Sequence, residues 1–259
     1  MEVADGVIHV WMVDFSAITD KSLLSRYREL LAPDEEARRN RFLFENLRLR
    51  YLVTRVLVRT VLSRYVSLPP KSWTFAADVH GKPHILNEEA QATRLTFNIS
   101  HTESLILLAV GSATMVGVDV ENRRRRPAPL EVADRYFAVE EVRELRALAV
   151  KRQQDRFFDY WTLKEAYLKA RGIGITIPLD SFFFTFPTES EISFHQDRCS
   201  GHEAGRWRFW QFNPSDEYVA AVCVQRRTME PSGLVKRLVP LVTETPFEAI
   251  ALQPGYRAN

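Results

Sequence analysis

Residues 105–121 read Leu105-Ile106-Leu107-Leu108-Ala109-Val110-Gly111-Ser112-Ala113-Thr114-Met115-Val116-Gly117-Val118-Asp119-Val120-Glu121. The apolar run Leu105 to Val110 and the β-branched run Met115 to Val120 read as two strands joined by a turn around Gly111-Ser112. In the second strand, residues two apart share a face, so Asp119 and Glu121 converge while Val116, Val118 and Val120 pack on the other side. Upstream, Leu95 to Ser100 and Trp73-Thr74-Phe75 read as strands, with a turn at His80-Gly81-Lys82-Pro83. Before them a long helical pattern runs from Glu35 to Val66, with Leu49, Leu52, Val53, Val56, Leu57, Thr60 and Val61 on one face, and Pro69-Pro70 ends it. A shorter helix is expected over residues 22–31, after a first strand from Val7 to Phe15.

Downstream, the loop Arg123-Arg124-Arg125-Arg126-Pro127-Ala128-Pro129 precedes helical patterns from Glu131 to Arg171, broken near Val139-Glu140. Strands follow at Phe182 to Phe186, Trp207 to Phe212 and Tyr218 to Val224, and the chain after Arg226 reads as an appended tail. The order of strand, helices and paired strands is similar in the two units, which hints at duplication. Arg41-Phe42 and Arg135-Tyr136-Phe137 strengthen that hint, each an Arg-aromatic sequence leading into a helix.

A chain of 259 residues with 46% apolar and 26% charged residues is long enough to bury a substantial core. Its net charge of +2 argues against a dedicated nucleic-acid binder. Cys199 and Cys223 have no metal-site spacing and are too few for a disulfide scaffold, which fits a reducing cytoplasm. The acidic N-terminus lacks a signal-peptide pattern, and no apolar run approaches the roughly 20 residues of a membrane helix. A soluble cytoplasmic protein is expected.

Four constellations could carry chemistry. Asp119 and Glu121 repel unless a cation lies between them, and hard oxygen donors suit Mg²⁺; two solvated acids at a strand end is the alternative. In Trp161-Thr162-Leu163-Lys164-Glu165-Ala166-Tyr167-Leu168-Lys169, the i,i+4 pair Glu165 and Lys169 shares a helix face, and on spacing alone a surface ion pair is the better reading. Phe97-Asn98-Ile99-Ser100-His101 could present a hydroxyl and an imidazole at a strand end, without a Gly-x-Ser-x-Gly hydrolase elbow. Gly81-Lys82-Pro83 offers close backbone approach, a phosphate partner and a stiff turn, and is equally readable as a plain β-turn.

Taken in this order, the four motifs resemble the Sfp-type 4′-phosphopantetheinyl transferase family over roughly residues 32–225. Ala170-Arg171-Gly172-Ile173-Gly174 and Pro178-Leu179-Asp180-Ser181-Phe182 also fit the family pattern. The resemblance implies an α+β fold of two similar halves related by a pseudo-two-fold, with the active site between them. The expected boundaries are 1–115 for the N-terminal half, 116–226 for the C-terminal half and 227–259 for the tail. It further implies a monomer that moves the 4′-phosphopantetheine arm of coenzyme A onto a serine of an acyl or peptidyl carrier protein, with Mg²⁺ or Mn²⁺ as cofactor.

By the same resemblance Asp119, Glu121 and Glu165 match the metal site, with Glu165 as general base, and Lys169 matches the lysine on the coenzyme A phosphates. Lys82, Pro83, Ser100 and His101 match residues around the adenosine and 3′-phosphate. Arg38, Arg41 and Arg50 match a region with further 3′-phosphate contacts. The family has a basic residue a few positions before Arg38, where this chain has Glu35. Three other functions are consistent with parts of the sequence: a nonenzymatic coenzyme A or carrier binder, a different Mg²⁺-dependent nucleotide enzyme, and an RNA binder led by the arginine run. The three intact acids disfavour the first and the near-neutral charge the last.

Overall fold

The computed structural model describes residues 6–112, 114–188, 190–196, 204–226, 231–242, 250–252 and 257–258. The first half runs β1 (Val7–Asp14), α1 (Lys21–Arg28), α2 (Pro33–Asn40), α3 (Glu45–Leu62), the hairpin β2 (Phe75–Ala77) and β3 (Pro83–Ile85), α4 (Glu88–Gln91), β4 (Leu95–His101) and β5 (Leu105–Ser112). The second runs β6 (Val116–Asn122), α5 (Leu130–Tyr136), α6 (Val139–Ala147), α7 (Val150–Arg171), the hairpin β7 (Phe182–Thr185) and β8 (Ser193–Gln196), β9 (Trp207–Ser215) and β10 (Tyr218–Gln225). Short strands β11 (Ser232–Arg237), β12 (Ile250–Leu252) and β13 (Arg257–Ala258) follow.

The halves repeat one topology. In one sheet β1 pairs antiparallel with β5 and β5 with β4; in the other β6 pairs antiparallel with β10 and β10 with β9. Each half inserts its long helix and a small hairpin between the same strands. The turn at Gly111-Ser112 therefore does not close a hairpin. β5 and β6 lie in different sheets, and the chain crosses from one half to the other between them. The described residues after Arg226 pack back on the body, with Val235 and Leu238 buried in it. β11 pairs parallel with β1 and antiparallel with β12, and β13 pairs parallel with β9.

Strand alternation builds four layers, α3 over one sheet, that sheet over the second, and α7 beneath. Trp11 and Val13 of β1 face Val53, Val56 and Leu57 of α3, while Ile8, Val10 and Met12 face the other sheet. Likewise Val118, Val120, Ala220 and Val222 fill the space between sheets, and Val219, Ala221 and Cys223 face Phe158, Ala166 and Tyr167 of α7. Each fully buried large apolar side chain contributes roughly 1.5–3 kcal/mol, so these interlayer contacts dominate the stability.

The duplication extends to a buried acid in each half. Glu35 accepts from the Ala32 backbone N–H at 2.9 Å and caps α2; Glu141 accepts from the Ala138 N–H at 3.2 Å and caps α6. Glu35 then pairs with Arg59 of α3 at 2.9 Å, and Glu141 with Lys164 of α7 at 2.7 Å. Arg59 donates to the Trp73 carbonyl and sits over the Phe75 ring, and Lys164 donates to the Phe182 carbonyl and sits over the Phe182 ring. The repeat thus aligns Ala32-Pro33-Asp34-Glu35 with Ala138-Val139-Glu140-Glu141, and not Arg41-Phe42 with Arg135-Tyr136. The helical pattern over 35–66 is interrupted at residues 41–44, where Arg48 Nε donates to the Phe42 carbonyl and Phe42 packs beside Tyr51.

Candidate active site

Gly117, Asp119 and Glu121 lie on the face of β6 turned toward α7. A Cβ on Gly117 would stand 2.0 Å from the Ala166 carbonyl oxygen and 2.4 Å from the Ala170 nitrogen. Only glycine lets the helix backbone approach the strand this closely, and the approach brings Glu165 and Lys169 to the carboxylates. Lys169 does not act as an isolated helix-surface ion pair with Glu165. Its ammonium donates to Asp119 Oδ1 at 2.6 Å and to Ser100 Oγ at 3.1 Å.

β4 and β6 are edge strands of different sheets, and β4 side chains bridge them. Asn98 Oδ1 accepts from the Val118 N–H at 2.9 Å, and Ser100 Oγ accepts from the Val120 N–H at 3.3 Å while donating to Asp119 Oδ1 at 2.8 Å. Spacing of two places both side chains on one face of β4, where they act as a surrogate partner for the free edge of β6. Ser100 is buried and its hydroxyl is engaged as a bridge between the two strands. Asn98 joins the site beyond the residues expected from sequence, and its i,i+2 relation to Ser100 is the signal that points to it.

The carboxylates are electrostatically crowded. Burial, then the Asp119 charge, pushes Glu121 up to about 7, against the opposing influence of Arg126 and Lys169 and a hydrogen bond from Trp161. Burial and then Asp119 also raise Glu165 above the usual carboxylate range. Asp119 Oδ2 is buried without a hydrogen-bond partner among the described residues. Among those residues no three His, Cys, Asp or Glu groups stand together as a formed metal cluster. The donor chemistry nevertheless fits a hard divalent cation: an orphaned buried carboxylate oxygen beside two acids that burial and mutual repulsion disfavour as bare anions.

Two adjoining clefts open from this point. One, of about 240 Å³, is lined by Gly81, Lys82, Pro83, Glu165, Lys169 and Gly172 among others. The second, of about 580 Å³, is lined by Arg38, Arg50, Tyr51, Arg55, Phe75 and His101 among others, and shares Gly81, Pro83 and Ile99 with the first. Arg38 lies over the Tyr51 ring. Arg50 has no acidic partner among the described residues, and lost hydration lowers its pKa. Lost hydration, then the Arg50 charge, also lowers the pKa of His101. Such a cationic, partly dehydrated cleft suits a polyanion. Arg41 is exposed in the α2–α3 turn and does not line either cleft. Glu35, at the position where the family has a basic residue, serves the buried pair with Arg59 and a second pair with Arg55. Lys82 lines the smaller cleft, but its ammonium donates to the carbonyls of Lys169 and Ala170.

The profile of the 4′-phosphopantetheinyl transferase superfamily matches residues 115–223, and that of the 4′-phosphopantetheinyl transferase N-terminal region matches residues 19–113. This chain belongs to the 4′-phosphopantetheinyl transferase family. The two profiles meet at the crossover between β5 and β6. The 4′-phosphopantetheinyl transferase HetI of Nostoc sp. is 34% identical over 217 residues, covering 84% of this chain and 87% of that protein. The 4′-phosphopantetheinyl transferase Sfp of Bacillus subtilis is 30% identical over 198 residues, covering 76% of this chain and 84% of that protein.

Proposed function

We propose that this phosphopantetheinyl transferase moves the 4′-phosphopantetheine group of coenzyme A onto a carrier-protein serine, in the cleft between its halves. The carrier serine oxygen attacks the phosphorus bearing the pantetheine arm, the bond from that phosphorus to the bridging oxygen breaks, and 3′,5′-ADP leaves. The observation that carries this reading is the continuity of the site. The Lys169–Asp119–Ser100 bridge and the acids lie where the cationic cleft of Arg38, Arg50 and His101 meets α7.

Glu165, presented to the smaller cleft from α7, takes the serine proton. Lys169 lies within reach of both strands and stabilises charge on the departing phosphate. Arg38, Arg50 and His101 hold the 3′-phosphate end, and Pro83 with Gly81 shapes the wall against the adenosine. Asp119, Glu121 and Glu165 would hold Mg²⁺, which when bound neutralises charge on the pyrophosphate. Both halves lie in one chain, so the cleft is complete in a monomer, and cytoplasmic carriers are the expected partners. Among the described residues no helix is long and apolar enough to cross a membrane.

The resemblance implies a carrier that is acidic around its serine, and the loop Arg123 to Arg126 is the docking candidate for it. Arg123 is buried against Asp159 and Asn213, Arg124 pairs with Asp155, and Arg125 pairs with Glu103. Arg126 is exposed and close enough to Glu121 to lower its pKa, so docking through this loop falls on Arg126. The test of the reaction is intact mass spectrometry of an apo acyl carrier protein incubated with the enzyme, coenzyme A and Mg²⁺. A gain of one phosphopantetheinyl group, lost with Glu165→Ala and with chelator, is expected. Coenzyme A binding without any gain on several unrelated carriers would sink the reading in favour of a nonenzymatic binder.

A further inference from the structure

The β2–β3 turn reaches across from the first half to the C-terminal end of α7. Lys82 Nζ donates to the Lys169 carbonyl at 2.8 Å and to the Ala170 carbonyl at 3.0 Å. These carbonyls belong to the last turn of α7, which Gly172 terminates at φ +69°, with its N–H returning to the Leu168 carbonyl. Helix ends leave carbonyls without intrahelical donors and carry partial negative charge, so an ammonium there is favourable on both counts.

The contact is shaped as well as charged. A Cβ on Gly172 would stand 3.0 Å from Lys82 Cδ, so the lysine stem lies directly on the helix terminus. The turn that delivers it is held from within. Asp78 accepts from the N–H groups of His80 and Lys82, both at 2.9 Å, and Gly81 at φ +84° donates to the Asp78 carbonyl at 3.0 Å. The His80 ring lies 3.8 Å from the position a Gly174 Cβ would take. A rigid turn of one half is therefore fastened to the end of the helix that carries Glu165 and Lys169 of the other.

We propose that Lys82 is a positioning residue: its ammonium straps the coenzyme A wall of the first half to the end of α7 and so fixes Glu165 and Lys169 against the cleft. The assignment rests on the transferase reading above. It differs from a phosphate-ligand role in what the ammonium faces, two backbone carbonyls.

The test compares Lys82→Met, Lys82→Arg, Gly172→Ala and Arg50→Met in the full chain, with coenzyme A and with 3′-dephospho-coenzyme A as co-substrates and mass gain on apo carrier as readout. Lys82→Met should lower kcat by about 10- to 100-fold with both co-substrates alike, since small misplacements cost rates of this order. Its KM for coenzyme A should stay within about twofold, because the proposal assigns the ammonium no substrate contact. Lys82→Arg, which can still donate to the two carbonyls, should recover most of kcat. Gly172→Ala, which crowds the lysine stem and strains the left-handed helix end on which it rests, should reproduce the kcat loss. Arg50→Met should instead remove the preference for coenzyme A over the dephospho form. A Lys82→Met variant that loses that preference, or that keeps full kcat, overturns the strap. If Lys82→Met does not fold, Gly172→Ala decides: a wild-type kcat in that variant overturns the proposal. A wild-type enzyme that modifies no carrier refutes the transferase reading itself, which is a separate outcome.

Discussion

Gly117→Ala adds one methyl group at the tightest contact of the site. Its Cβ would lie 2.0 Å from the Ala166 oxygen, where ordinary contact begins at 3.4 Å, a shortfall of about 1.4 Å. The obstructing atoms are helix backbone, so no rotamer change relieves them, and α7 must lift from β6. Phe157, Phe158, Leu163 and Tyr167 are fully packed on the same helix and resist that motion. Overpacking of this kind costs about 1–3 kcal/mol or more in stability. A helix displaced by ~1 Å also carries Glu165 and Lys169 off Asp119, which should lower kcat by about 100-fold or more. The measurements are a thermal melt and the initial rate of mass gain on apo carrier. Wild-type melting temperature together with wild-type kcat would refute the claim that α7 is seated on β6 through this glycine.

Lys164→Met should destabilise the protein by about 3–5 kcal/mol in urea unfolding, because it leaves buried Glu141 without its cation. The double variant Glu141→Gln/Lys164→Met should recover most of that loss at pH 8. Burial, as the largest cause, pushes Glu141 up to about 7, so its contribution to stability is fully present below pH 4.5 and declines as pH rises toward about 7; the double variant should lack that decline. Arg50→Met should weaken coenzyme A binding by about 10- to 100-fold in calorimetry, as expected for losing a charged hydrogen bond, and flatten its salt dependence. Glu121→Gln removes one of three crowded carboxylates, so it should raise the metal-free melting temperature at pH 8 and abolish the further rise on adding Mg²⁺. Arg126→Glu should raise KM for carrier in a salt-dependent way while KM for coenzyme A holds; an unchanged carrier KM excludes the loop from docking.

Much of this architecture was legible because period-2 and period-3.6 patterns report which face is buried. β1, β4, β9, β10 and the face of α3 follow from them directly. Pairing is different. β5 and β6 adjoin in sequence and look like a hairpin, yet Val118 and Val120 pack against the opposite sheet rather than beside β5, and alternation cannot tell these arrangements apart. The strand at 232–237 was hidden for a related reason, since a parallel edge partner carries no turn signal linking it to β1. At the site, types and spacings pointed to the acids, but not to what each cation faces. Lys169 turns to Asp119 of its own half and to Ser100 of the other, and Lys82 to helix carbonyls, because long flexible side chains take partners that tertiary packing supplies.

The duplicated capping acids explain why a twofold repeated chain has one reaction centre. Superposing Glu35 with Arg59 on Glu141 with Lys164 places Thr60 of α3 beside Glu165 of α7 in the sequence order. Thr60 cannot serve as a base, and its hydroxyl is returned to the Val56 carbonyl at 2.7 Å. The strand facing it, Ile8 to Val13 of β1, carries no carboxylate where β6 has Asp119 and Glu121. Meanwhile α3 presents Arg50 to the large cleft. The scaffold-holding pair stands in both halves, while the clefts take Arg38 and Arg50 from the first and Glu165 from the second. The cleft of Arg38 and Arg50 from the first half thus adjoins the cleft of Glu165 and Lys169 from the second beside β4 and β6, the arrangement that the proposed polyanionic co-substrate requires.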